Sequence, residues 1–126
     1  MQEANRPWLT ERFKHALQLL ACAPEIQFGK FPDFARVPDE LALEFDNFRV
    51  AFVGNFRSEL TAEQLSCVEL IDEYLSSMSK ECYCDEAVSI SPEWQHIRRL
   101  GAKALNAFGW PVEDPPSYAH EFVRGS

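Results

Sequence analysis

Four segments of this chain repeat their apolar residues at the period of an α-helix, and this recurrence constrains the fold more than any other feature. Over residues 7–21, Leu9, Phe13, Ala16, Leu17 and Leu20 fall at i, i+4, i+7, i+8 and i+11, while Glu11, Arg12, Lys14 and Gln18 take the other side. Such a stripe is stable only when buried against another element. Pro24 marks the end of this helix. A second helix is predicted over 38–53, with Leu41, Phe45, Phe48 and Phe52 on its stripe. Pro38 suits its first turn, and Asp39 and Glu40 complement the helix dipole. A period-2 signal competes there. Phe48, Val50 and Phe52 alternate, and Gly54-Asn55 has the composition of a hairpin turn, so residues 48–56 also read as strand. The helical pattern is longer and is preferred.

The third helix opens on Thr61, with Gln64 three residues on to complete a capping box. Leu65, Val68, Ile71, Leu75 and Met78 line one face, and Cys67, Leu70 and Tyr74 widen it. So broad a face predicts the most central helix. Ser76-Ser77 and Ser79 signal its end. The fourth opens with Ser91 as N-cap, Pro92 in the first turn and Glu93 on the dipole. Trp94, Ile97, Gly101, Ala104, Leu105 and Phe108 form its stripe, and the small Gly101 and Ala104 admit another helix at close range. Gly109 stands where a left-handed cap is expected, and Pro111 stops the helix.

The remaining segments are connections. Residues 22–37 hold Pro24, Gly29 and Pro32, which break any long element, yet Ile26, Phe28, Phe31, Phe34 and Val37 are too apolar for a solvated linker. This aromatic-rich loop is expected to lie as a lid on the core. Residues 79–90 read as a polar connection, and residues 110–126, with Pro111, Pro115 and Pro116, as an extended tail tied back by Trp110, Tyr118 and Phe122. The fold expected is therefore all-α: a single helical domain over 1–126, a bundle of about four helices around an aromatic-rich core. Sixteen aromatic residues in 126 exclude a disordered chain, and no apolar run approaches the ~18 residues of a membrane span.

Charge narrows the partner class. The chain carries 20 acidic against 12 basic residues, a net of −8. The excess is central: residues 39–93 hold 3 basic and 13 acidic groups, while the flanks are each near neutral. Nucleic acid and anionic membrane surfaces are thereby disfavoured, and a basic protein partner is favoured. Glu40, Glu44 and Asp46 fall on the second helix, and Glu69, Asp72 and Glu73 on the third. Glu40/Glu44 and Glu69/Glu73 are like-charge pairs at i, i+4, each mildly destabilising. A surface that tolerates this repulsion reads as one meant for a cationic partner. Arg98, Arg99 and Lys103 form a small opposite patch on the fourth helix, placed to pair with those acids within the chain.

Motifs for catalysis or metal are sparse. No Gly-x-Ser-x-Gly, Walker loop, dinucleotide fingerprint or His-Glu-x-x-His occurs, and no cofactor is implied. His15, His96 and His120 default to surface histidines. Cys82, Cys84 and His96 are the candidates for a metal site, but a structural zinc needs four ligands and no second cysteine pair exists. Glu93-x-x-His96 has di-iron spacing without its required second copy. Cys67 lies on an apolar face and reads as a small core residue. The first residues show no basic segment followed by an apolar one, so a cytoplasmic protein with reduced Cys22, Cys67, Cys82 and Cys84 is expected.

Three stretches, Ser58-Glu59-Leu60-Thr61-Ala62-Glu63-Gln64-Leu65, Ser91-Pro92-Glu93-Trp94 and Ala104-Leu105-Asn106-Ala107-Phe108-Gly109-Trp110, resemble small stand-alone helical bacterial proteins of the immunity type. Those proteins neutralise toxins used in competition between bacteria. The resemblance covers about half the chain and rests on capping patterns and general character. It implies a small, acidic, cytoplasmic inhibitor that binds a toxin domain, and it assigns no individual binding residue. The competing expectation is a homodimer formed through the 22–37 loop and the Gly101/Ala104 stripe.

Overall fold

The computed structural model describes residues 2–116, with side chains from Arg6 onward. The described residues form six α-helices: α1 (Gln2–Ala21), α2 (Pro24–Gly29), α3 (Val37–Phe56), α4 (Ala62–Ser77), α5 (Asp85–Ile90) and α6 (Pro92–Phe108). No strand occurs among them. The all-α bundle expected from the stripes is what forms, with four long helices and two short ones.

α1 and α6, not α4, form the centre of the bundle. α1 lies between α3 and α6, while α4 packs on α6 from the far side. Phe13, Ala16, Leu17, Gln18 and Leu20 of α1 are all essentially solvent-free, whereas Leu70 of α4 is 42% exposed. The broad face of α4 misled because apolar width counts residues that could be buried, not partners available to bury them. Full burial of each such Leu or Phe contributes about 1.5–3 kcal/mol. Close approach of α1 to α6 depends on Gly101. A Cβ placed there would stand 3.3 Å from the Ala21 nitrogen and 3.4 Å from the Leu17 carbonyl oxygen. Ala104, one turn on, is fully buried.

α3 settles residues 48–56 as helix. At 100° per residue, Phe48 and Phe52 lie about 40° apart on one side of the helix, while Val50 points to the opposite side. Phe52 is buried, Phe48 half-buried and Val50 exposed, which a strand face would not produce. Gly54 and Asn55 lie inside the helix, where the Asn55 Nδ2 donates to the Ala51 carbonyl at 2.7 Å. An aromatic cluster then joins α1, α3 and α6. Phe13 stacks on Phe52 at 4.7 Å between ring centres, Phe52 on Phe56 at 4.6 Å and Phe108 on Trp110 at 4.4 Å.

The caps form as their residues dictate. Thr61 and Gln64 make the reciprocal capping box of α4, and the Ser91 hydroxyl accepts from the Trp94 backbone N–H at 3.1 Å. Gly109 has φ of 72°, and the Trp110 N–H folds back to the Leu105 carbonyl at 2.9 Å. The tail beyond is held by Gln18, whose Nε2 donates to the Pro111 carbonyl, and by Lys30, whose Nζ donates to that of Pro115. Tyr118 and Phe122 lie outside the described residues.

Two connections are more ordered than expected. The 22–37 segment contains α2, and residues 79–90 contain a 3-10 turn over Lys80–Cys82 followed by α5. Six-residue helices are too short to show a period of 3.6. Within the lid, Phe31 and Val37 are buried and Ile26 and Phe28 pack against the core, but Phe34 is 76% exposed and does not.

Candidate partner-binding surface

The six acids selected from the sequence divide between two sides of α3. Asp46 and Asp72 come together across the α3–α4 junction, both facing Arg49: its Nη2 lies 2.6 Å from the Asp46 carboxylate and 3.6 Å from that of Asp72. Here the guanidinium is the inner group, 24% exposed against 51% for Asp46 and 39% for Asp72. The carboxylates therefore stand outermost. They rim a groove floored by Ala42, Phe45, Leu75 and Ser76 and closed by Tyr83, whose hydroxyl donates to the Leu75 carbonyl at 2.7 Å. Burial holds the Tyr83 phenol above its ordinary pKa, with the nearby Asp39 charge acting in the same direction. Glu69 and Glu73 are exposed along α4, and neither forms an ion pair among the described residues. Glu44 points the other way, into the α1–α3 seam, where Arg12 stands 3.6 Å from it. Glu40 is half-buried on that same side of α3.

The basic patch of α6 does not neutralise these acids. Arg98 turns inward: its Nη2 donates to the Gln27 side-chain oxygen at 2.9 Å and also to the Val88 carbonyl. Gln27, fully buried, in turn donates to the carbonyls of Leu19 at 2.9 Å and Leu20 at 3.1 Å. One glutamine and one arginine thus join α1, α2, α5 and α6. Nothing in the sequence pattern marked either residue as interior. Arg99 and Lys103 are exposed and form no ion pair among the described residues.

The candidate metal ligands are not brought into a site. Cys82 is buried and Cys84 exposed, so the two thiols of the pair face different surroundings. His96 packs its ring against Tyr74 at 4.6 Å. Among the described residues, no three His, Cys, Asp or Glu side chains are grouped to hold a metal ion. His15 is not a simple surface residue: its Nε2 lies 3.2 Å from the Glu11 carboxylate, and its side chain is only 15% exposed. Burial lowers its pKa below the ordinary histidine value, against the opposing pull of Glu11. Cys67 sits in the core as its apolar face implied. His120 lies outside the described residues. Among the described residues, no helix is long and apolar enough to cross a membrane.

No protein-family model matches the chain, and comparison with curated proteins and with solved structures yields no match.

Proposed function

We propose that this chain is a protein-binding module whose acidic α3–α4 face docks a basic partner, in the manner of an immunity-type inhibitor that covers a toxin's cationic active site. The observation that carries this reading is the outward placement of Asp46 and Asp72, continued along α4 by the unpaired Glu69 and Glu73. The chain's own cations cancel this field only in part: Arg49 offsets one of the two carboxylate charges from beneath, and Arg98 is turned into the interior. Such a field steers a cationic partner and weakens as salt rises. The dimer alternative loses the Gly101/Ala104 half of its interface, since Gly101 is packed against α1 and Ala104 is buried, and keeps only the 22–37 loop, where Phe34 is exposed.

The test compares immobilised wild-type protein with an E69K/E73K variant, whose changes lie at exposed positions. Extract of the source cells is applied at low and at high salt. One stoichiometric basic protein should be retained by wild type at low salt, released at high salt and lost to the variant. That protein's activity should then fall on adding the purified chain. Equal retention by the variant, or no basic protein retained, refutes the reading.

A further inference from the structure

α3 exposes an apolar strip inside the acidic face. Leu43 is 54% exposed and Val50 57% exposed. Asn47 and Gly54, at i+4 and i+11 from Leu43, continue the same side of the helix and are also exposed. No described element buries this side, as the exposure of Leu43, Asn47, Val50 and Gly54 along it shows. Leu43 and Val50 are separated by seven residues, about 10 Å or two helical turns. Asp46 lies three residues after Leu43 and four before Val50, so its carboxylate adjoins both. Asp72 extends that border through Arg49, and Glu40, three residues before Leu43, stands at the strip's other edge.

Resting on the partner-binding reading, we propose that the Leu43–Val50 strip is the docking site for an amphipathic cationic helix of the partner. Its apolar stripe covers Leu43 and Val50, and its flanking Lys or Arg residues meet Asp46 and Asp72. Charge selects this occupant. A second copy of the chain would set like carboxylates against one another, and a phosphate backbone or anionic lipid surface would meet the same repulsion. The dry strip supplies binding energy that salt does not screen, while the acids set orientation and encounter rate. The proposal thus separates two roles that an acidic surface alone would merge.

Three synthetic peptides of about 18 residues probe this, titrated into the labelled full chain by fluorescence anisotropy and amide chemical-shift mapping. The first places Leu at i, i+4 and i+7 with Lys on the flanks. The second has the same composition shuffled to destroy the stripe, and the third replaces Lys by Glu. Only the first should bind well, with shifts centred on residues 43–50. L43D and V50D should each weaken it at least about tenfold, as loss of one buried Leu or Val contact implies. L70D, at the exposed apolar site on α4, should leave it unchanged. Thermal melts of the variants should match wild type, because all three positions are exposed.

Equal binding of the first and second peptides overturns the strip while leaving the acidic-face reading intact. Failure of every cationic peptide overturns both. A concentration-dependent dimer of the free chain that L43D abolishes also overturns the proposal, by assigning the strip to a second copy.

Discussion

Gln27 is the residue whose loss should cost this fold most for the fewest atoms removed. The reason lies at the end of α1. The Leu20 carbonyl would ordinarily accept from the N–H four residues on, but that residue is Pro24, which has none. Gln27 Nε2 takes the place of that donor and also reaches the Leu19 carbonyl, while its oxygen accepts from Arg98. Gln27→Ala removes two neutral hydrogen bonds worth about 1 kcal/mol each and one charge-assisted bond worth about 1.5–3 kcal/mol. It leaves the Arg98 guanidinium short of an acceptor. The expected loss is about 4 kcal/mol, and for a chain of this length a fall in Tm of more than ~10 °C. Urea unfolding followed by far-UV circular dichroism measures it. Gln27→Leu keeps most of the volume and should lose nearly as much, which separates polar loss from cavity formation. Gln18→Ala breaks the single bond to the Pro111 carbonyl and should cost only about 1–2 kcal/mol. In a double-mutant cycle, Q27A with R98A should cost at least ~1 kcal/mol less than the sum of the two. A Q27A variant within about 1 kcal/mol of wild type, or strict additivity with R98A, would refute this account of the joint.

Three further outcomes follow from burial and charge. Cys84 should react promptly with a thiol reagent at pH 8, while Cys22, buried and raised to about 11, should react only on unfolding, as should Cys67 and Cys82; fast labelling of more than one thiol in the native chain contradicts this. The lowered pKa of His15 means that the unfolded chain binds a proton first as pH falls, so its contribution is intact above the ordinary value of 6.5 and is lost progressively below it. H15Q should flatten the stability profile as pH falls below 6.5, and an unchanged slope would remove His15 from the account. Gly54 is exposed within α3, and a Cβ there meets nothing within 4 Å, so Gly54→Ala should stabilise by about 0.5–1 kcal/mol in the same urea assay. Destabilisation would show that the site is not open.

The long helices were legible because local rules and packing agree in them. Thr61 with Gln64 and Ser91 cap the starts of α4 and α6, and Gly109 caps the end of α6, close to where the apolar stripes begin and stop. What the stripes do not encode is which faces meet. The periodicity of α4 predicts a buried face wherever a partner exists, and only assembly shows that α1 and α6 each receive two long neighbours while α4 packs mainly on α6. Polar residues are less legible still. Gln27 and Arg98 carry no apolar signal, and each is interior only because the other, together with Pro24, supplies a reason. The acidic face divides in the same way. Helical phase placed Asp46, Glu69, Asp72 and Glu73 as solvent-facing groups, but the diversion of Glu44 to Arg12 depends on where α1 lies relative to α3.

The pairing of α1 with α6 bears on how the chain is made. The Gly101 contact joins segments roughly 80 residues apart, and at ribosomal rates of about 5–20 residues per second α1 emerges several seconds before the helix that covers it. During that interval Phe13 has Phe45 and Phe52 of α3 to pack against, but not Phe108 and Trp110. The apolar surface of α1 that α6 covers therefore stays exposed on the nascent chain until α6 is made, and the yield in cells should depend on translation speed and on chaperones that hold apolar helices.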